Sequence, residues 1–203
     1  MFQQGTVAIQ AGGQSSRMGS DKGLVTLNGQ MLIERVLTAV EGLCDDLIVT
    51  TNNAARYAMF GLRTIPDTIP GAGALPGLYT ALKAATGHYV LVVACDMPFL
   101  NHDLLHYQLE QAFALHPDIV LPRWENHWQP FHAVYHRRHC LDALEEALSL
   151  PEQEQTMTSF HANLLIREIR PEEVRRFDPT GRTFFNVNTP SDLTTAVDMM
   201  TQQ

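Results

Sequence analysis

The sequence predicts an α/β sandwich with a mainly parallel sheet, and three observations carry that prediction. Short apolar runs alternate along the chain with amphipathic stretches at helical spacing. The strongest run, Tyr89-Val90-Leu91-Val92-Val93-Ala94, is apolar throughout, as a strand covered on both faces must be. Polar, glycine-rich segments directly follow three of the expected strands, where open α/β sheets bind their ligands.

In chain order, Thr6-Val7-Ala8-Ile9-Gln10 reads as the first strand, halted by Gly12-Gly13. Leu32, Val36, Ala39, Val40 and Leu43 stand at helical spacing and predict a helix over roughly 31–43. The run 46–50 is the second expected strand. A short helix over roughly 53–60 follows, then a third strand over 62–65. Leu78, Ala81, Leu82 and Ala85 mark another helix, ended by Gly87, and the strongest strand comes next. Asn101 is an N-cap candidate for a helix over roughly 102–114. The segments 118–121 and 130–135 read as strands, and helical spacing returns at Leu141, Leu144, Ala147 and Leu148. The polar stretch 151–155 reads as a loop, and 164–166 and Phe184-Phe185 as short late strands. Thr189-Pro190 opens a last helix, with Thr as cap and Pro tolerated at the first position.

At 203 residues the chain has the length of one domain, 1–203. Apolar residues make up 45% and charged residues 18%, which supports a buried core and excludes a disordered chain. Fourteen bases against 22 acids leave a net charge of −8, a poor surface for general nucleic-acid binding. Cys44, Cys95 and Cys140 are odd in number and widely spaced, so neither a disulfide framework nor a paired-cysteine zinc site is expected. The first residues lack a basic segment and a long apolar stretch, and no window suits a membrane span. These features predict a cytoplasmic protein without membrane or nucleic-acid partners.

Four segments can carry chemistry. The first is Ala11-Gly12-Gly13-Gln14-Ser15-Ser16-Arg17-Met18-Gly19-Ser20-Asp21-Lys22. Glycines let successive backbone N–H groups converge on one anion, and Arg17 and Lys22 add positive charge, so the segment reads as a polyphosphate cradle. It matches neither the Walker loop nor the Gly-x-Gly-x-x-Gly fingerprint. The second is Cys95-Asp96-Met97-Pro98, after the strongest strand. A carboxylate there is costly unless solvated, paired or bound to a cation. Beside a polyphosphate the cation is Mg²⁺. The alternative is that Asp96 merely shapes a turn. The third is the Pro- and Gly-rich loop 66–78, a lid, a ligand wall or a plain crossover. The fourth is Asn186-Val187-Asn188-Thr189-Pro190, whose two amides face one side at strand geometry. They either bind a ligand's polar atoms or shape the turn before the last helix.

Two further groups read more blandly. His127, His132, His136 and His139 fall on an expected strand and its surroundings, which favours solvated or hydrogen-bonded histidines over a transition-metal site. Trp124 and Trp128 either line a flat heteroaromatic ligand or pack.

Taken together, these segments resemble the molybdenum cofactor guanylyltransferase family. The carrying residues are Ala11-Gly12-Gly13-x-Ser15-Ser16-Arg17-Met18-Gly19-x-Asp21-Lys22, then Asp67 and the loop ending Gly77-Leu78, then Cys95-Asp96-Met97-Pro98. The ending Asn186-Val187-Asn188-Thr189-Pro190-x-Asp192-Leu193 completes the set. The resemblance implies a Rossmann-like three-layer α/β/α sandwich of the nucleotidyltransferase type, as a single domain over 1–203. It implies transfer of GMP from GTP to the molybdopterin (molybdenum) cofactor with release of pyrophosphate, dependent on Mg²⁺.

On that resemblance, Ala11, Gly12, Gly13 and Lys22 bind GTP. Asn52 matches the guanine-side asparagine, Asp67 a nucleotide-contacting aspartate and Asp96 the Mg²⁺ ligand. Asn186 and Asn188 match positions on the pterin side. Arg17, Lys22 and Asp96 are the expected catalytic set. Transient contacts are implied with proteins that supply the cofactor or receive it as molybdoenzymes. Two departures stand out: Gln10 replaces the family's usual Leu before Ala-Gly-Gly, and Ala74 replaces the Pro of Gly-Pro-Leu. The rival readings are a relative using CTP, a sugar-nucleotide enzyme, or a non-catalytic nucleotide- or cofactor-binding protein. The Gly12-Gly13 pair, where cytidylyl relatives tend to carry Ala-Gly, favours GTP.

Overall fold

The computed structural model describes residues 1–11, 21–69 and 73–201. In chain order its elements begin with β1 (Phe2–Gln10), β2 (Thr26–Leu27), β3 (Gln30–Met31), α1 (Leu32–Val40) and β4 (Cys44–Thr50). Next come α2 (Ala54–Tyr57), β5 (Arg63–Ile65), α3 (Ala74–Ala84), β6 (Tyr89–Ala94) and α4 (His102–Leu115). The chain continues with β7 (Ile119–Trp124), β8 (His127–Trp128), β9 (His132–His136), α5 (Arg137–Ser149) and α6 (Met157–His161). It closes with β10 (Ile166–Ile169), α7 (Pro171–Val174) and α8 (Pro190–Thr201).

The main sheet runs β10-β7-β9-β6-β1-β4-β5. Alternation along its central strands feeds two apolar layers. Val7, Ile9, Val49, Leu91 and Val93 face one side with residues of α1 and α4. Ala8, Ile48, Val90 and Val92 face the other with residues of α3 and α5. The result is the expected three-layer α/β/α sandwich. β1 pairs in parallel with both β4 and β6. β9 lies antiparallel to both β6 and β7, and the short β8 antiparallel to β7. A buried apolar run looks the same in either direction, so the sequence did not reveal this reversal.

Several boundaries move. The first strand starts at Phe2, and the expected late strand at 164–166 is displaced to β10, Ile166–Ile169. Phe184-Phe185 forms no strand; Arg182–Phe184 is a 3-10 turn instead. Both rings there are claimed by packing, Phe184 against Trp124 and Phe185 against Phe99. The loop at 151–155 contains a 3-10 turn at Glu152–Glu154. The β2–β3 hairpin was not expected, although Asn28-Gly29 announces it. Both residues have positive φ, 51° and 82°, as a two-residue hairpin turn requires. Asn101 caps α4 as expected, its side chain accepting from Leu104 N–H at 2.9 Å. Thr189 likewise caps α8, accepting from Asp192 N–H.

Chain order fixes where a ligand fits. From β1 the chain proceeds outward to β4 and β5, then crosses back to β6 on the other side of β1. The order reverses between β1 and β6, which opens a crevice at their carboxyl ends.

Candidate active site

That crevice is a cleft of about 420 Å³. Gln10 and Ala11 enter it from β1, Ala94, Cys95 and Asp96 from β6, and Asn52 and Asn53 from the end of β4. Gly73 and Ala74 bring in the start of α3, and Asp21, Lys22, Asn186 and Asn188 come from connecting segments. A bond from Cys95 N–H to the Gln10 carbonyl ties the two strand exits together at 2.9 Å.

Asp96 and Lys22 lie 74 positions apart in sequence, yet Lys22 Nζ donates to Asp96 Oδ2 at 3.2 Å. The same ammonium donates to Asn188 Oδ1. Lys22 opens a 3-10 turn, Lys22–Leu24, and the preceding Asp21 is pinned by the buried Tyr57 hydroxyl, which donates to Asp21 Oδ1. Asn188 is held by a different device. Val187 is fully buried beside Leu27, Leu32 and Ala196. Its N–H donates to the Asp96 carbonyl at 2.9 Å. The flanking Asn186 and Asn188 are therefore turned out into the cleft, as the alternation predicted, although the segment is not a strand of the sheet.

The electrostatic state of Asp96 is unusual. Burial pushes its carboxyl pKa up, and the neighbouring Lys22 only partly offsets that. Oδ2 is occupied by Lys22, whereas Oδ1 is buried with no hydrogen-bond partner among the described residues. A buried carboxylate oxygen left unpaired is costly, and a hard cation is the partner it lacks. This donor, beside an ammonium and two amide side chains, fits a divalent ion that also takes phosphate oxygens.

Asn52 and Asp67 are joined in both directions. Asn52 Nδ2 donates to Asp67 Oδ2 at 2.7 Å, and Asp67 N–H donates to Asn52 Oδ1 at 3.0 Å. Asn52 lines the cleft, and Asp67 is its hydrogen-bond partner. Gly12, Gly13 and Arg17, together with most of the glycine-rich segment and residues 70–72 of the later loop, lie outside the described residues.

Sequence reasoning did not single out Asn53, Phe131 or the Tyr57–Asp21 bond. The first follows Asn52 directly, but nothing in the sequence places Phe131 or Tyr57 near the cleft. The histidines divide: one is buried and hydrogen-bonded, and two join a cluster whose ligand atoms lie within 4.8 Å of one another. His132 is fully buried and bonds Thr183 at 2.8 Å. His136 and His139 gather with Asp118 at the other end of the sheet from the cleft, where Asp118 also accepts from Leu165 N–H. Trp124 packs against Phe184, and Trp128 is exposed under Arg123.

Comparison with known proteins gives the same picture. Residues 7–167 match the family model of the MobA-like NTP transferase domain. The "Probable molybdenum cofactor guanylyltransferase" of Pelotomaculum thermopropionicum is 37% identical over 95% of this chain and 92% of its own length. The molybdenum cofactor guanylyltransferase of Desulfosudis oleivorans is 31% identical over 93% and 92%. Among solved structures, molybdopterin-guanine dinucleotide biosynthesis protein A from Archaeoglobus fulgidus superposes with a TM-score of 0.82 at 26% identity. That match covers 98% of this chain and 100% of that one. On this fold, this cleft and these relatives, the chain belongs to the molybdenum cofactor guanylyltransferase family of MobA-like NTP transferases.

Proposed function

We propose that this nucleotidyltransferase joins GMP from GTP to the molybdopterin cofactor and releases pyrophosphate, with Mg²⁺, working as a single domain over 1–203. The observation that carries the reading is the unpaired, buried Oδ1 of Asp96 beside the Lys22 ammonium at the switch point of the sheet. A cation supplies the partner Oδ1 lacks, and a nucleoside triphosphate takes the third N–H of the Lys22 ammonium.

The chemistry needs little from a general base. The terminal phosphate of molybdopterin is already nucleophilic near neutral pH. Its oxygen forms a bond to the α-phosphorus of GTP while the bond to the bridging oxygen of the leaving pyrophosphate breaks, and pyrophosphate departs with that electron pair. The obstacle is bringing several negative charges together, so catalysis is positioning and electrostatics. Lys22 holds the phosphates, and Asp96 and Asn188 orient its ammonium. Arg17 and the backbone of Ala11, Gly12 and Gly13 add donors to the same phosphates. Asn52, braced by Asp67, receives the nucleoside end, and Asn186 and Asn188 face the pterin. Asp96 is the residue that would hold Mg²⁺, whose charge would screen the phosphates.

The experiment is to mix the chain with GTP, MgCl₂ and molybdopterin and follow pyrophosphate release, with CTP and UTP in parallel. Release with GTP and not with CTP or UTP supports the reading. Equal or better release with CTP assigns the chain to a cytidylyl reaction, and nucleotide binding without release makes it a binding protein. A cytoplasmic location fits the three free cysteines and the lack, among the described residues, of a helix long and apolar enough to cross a membrane. Transient contact with proteins that deliver or accept the cofactor belongs to the same proposal.

A further inference from the structure

Asp118, His136 and His139 gather at the end of the sheet opposite the cleft, and nucleotide transfer gives them no task. Each brings one metal-ligating atom, and the three atoms lie within 4.8 Å of one another. Donors about 2.1 Å from a tetrahedral ion stand about 3.4 Å apart, so this spacing suits one small ion after slight side-chain adjustment.

The fold sets the three side by side. Asp118 immediately precedes β7 and His136 ends β9, and the antiparallel pairing makes them neighbours, with His136 N–H donating to the Asp118 carbonyl at 2.7 Å. Asp118 Oδ2 accepts from Leu165 N–H at 2.7 Å, which leaves Oδ1 to the imidazoles. Oδ1 meets His139 Nδ1 at 2.5 Å. His139 lies in the first turn of α5, anchored by the buried Cys140 that follows it. The Tyr89 ring packs edge-on against His136, and the two imidazole centres are 4.0 Å apart. A hydrogen-bonded Asp–His pair needs one imidazole; here a second stands within reach of the same carboxylate. The His139 side chain is 58% exposed, so an ion can enter from solvent and keep a water in its remaining position.

The surroundings select the kind of ion. Asp118 is the one carboxylate of the set, while Arg138 and His88 stand near His136 and α5 presents its amino end. That field disfavours Mg²⁺ or Ca²⁺, which are held by charge and by several oxygens. An ion that bonds imidazole nitrogen depends less on it.

We infer that Asp118, His136 and His139 form a binding site for a divalent first-row transition ion of the zinc type, which clamps α5 to β7 and β9 away from the cleft. On binding, the proton of His139 Nδ1 passes to solvent and the freed lone pair turns to the ion. The bond capping α5, from His139 N–H to His136 Nδ1, is long at 3.3 Å, so that ring gives up little in turning to the ion.

The test is calorimetric titration of the full chain with ZnCl₂ in excess MgCl₂, paired with optical titration by CoCl₂. The unmodified chain should take up one equivalent of either ion. Zn²⁺ should raise the thermal midpoint by mass action, and Co²⁺ should develop the visible bands of a nitrogen-ligated ion. His139→Ala, at an exposed position that does not threaten the fold, should weaken Zn²⁺ binding roughly 100-fold and erase the Co²⁺ bands. Asp118→Asn should act in the same direction. His106→Ala should change neither, although His106 and Glu110 form an exposed pair 3.6 Å apart on α4.

No stoichiometric uptake by the unmodified chain overturns the inference. So does uptake that His139→Ala leaves intact, or that is lost in Asp96→Ala or His106→Ala instead, since the ion then sits in the cleft or on an ordinary surface pair. Should Asp118→Asn fail to fold, the isotherm and the Co²⁺ spectrum of His139→Ala decide alone.

Discussion

Asp46, near the amino end of β4, and Asp96, just past the carboxyl end of β6, occupy opposite edges of one sheet. Asp46 accepts from the Thr6 hydroxyl, from the N–H and hydroxyl of Thr86, and from Arg63. Burial raises its pKa, but those hydrogen bonds outweigh burial and leave it below the ordinary aspartate value. Asp96 has Lys22 on one oxygen and no partner on the other, and burial leaves it raised. The first carboxylate is finished by the fold. The second keeps one oxygen unpaired where the cleft opens, as a group at a functional site does more often than one in a plain scaffold.

The comparison can be broken most decisively at Asp96. Asp96→Ala should lower Mg²⁺-dependent pyrophosphate release by roughly 1000-fold, while the thermal midpoint holds or rises because an under-satisfied buried carboxylate is gone. Near-full turnover would remove Asp96 from the site. Asp46→Ala should do the reverse. Denaturant melts should show a loss of about 3 kcal/mol, since several hydrogen bonds vanish together and Arg63 and Thr86 are stranded. Turnover per folded molecule should stay unchanged, and a large loss of turnover there would dissolve the contrast.

His132 sharpens the comparison from a third position. It too is buried with one nitrogen unpartnered, but it is bonded to Thr183 and does not line the cleft. Burial lowers its pKa from 6.5 to about 4. The unfolded chain therefore binds a proton below pH 6.5 that the native state refuses. Stability from this group is fully present above pH 6.5 and is lost as pH falls from 6.5 to about 4. The expected loss is about 3 kcal/mol. His132→Leu should flatten part of that limb in pH-dependent melts. His161, lowered to about 4 by burial as well, should keep the remainder. An unchanged limb would show that His132 is not the group responsible. The smallest effect belongs to Lys22→Ala, expected to weaken GTP binding about tenfold, or about 1.4 kcal/mol by calorimetry. Unchanged affinity would remove Lys22 from the nucleotide.

Much of this site was visible in the residues. The order of strands and helices, Asn101 and Thr189 as caps, and the placing of Asp96 and Lys22 after buried strands all follow from local pattern and composition. The β2–β3 hairpin is equally legible in Asn28-Gly29, although its strands of two residues each carry no periodicity of their own. The direction of β9 was not legible, and neither was the failure of Phe184-Phe185 to form a strand, since side-chain packing decided both. Asp67 shows the limit within the site, because only coordinates reveal that it is hydrogen-bonded to Asn52 in both directions.

What the sequence alone determined is periodicity and chemistry: which stretches bury, which turn, and which strand ends carry a carboxylate, an ammonium or paired amides. Those depend on neighbours a few positions away. The tertiary structure decided which of these groups meet. Lys22 reaches Asp96 and Asn188 because β1 and β6 lie side by side and Val187 is buried against their exit. Such contacts between distant positions follow from strand order and close packing, which no local pattern encodes.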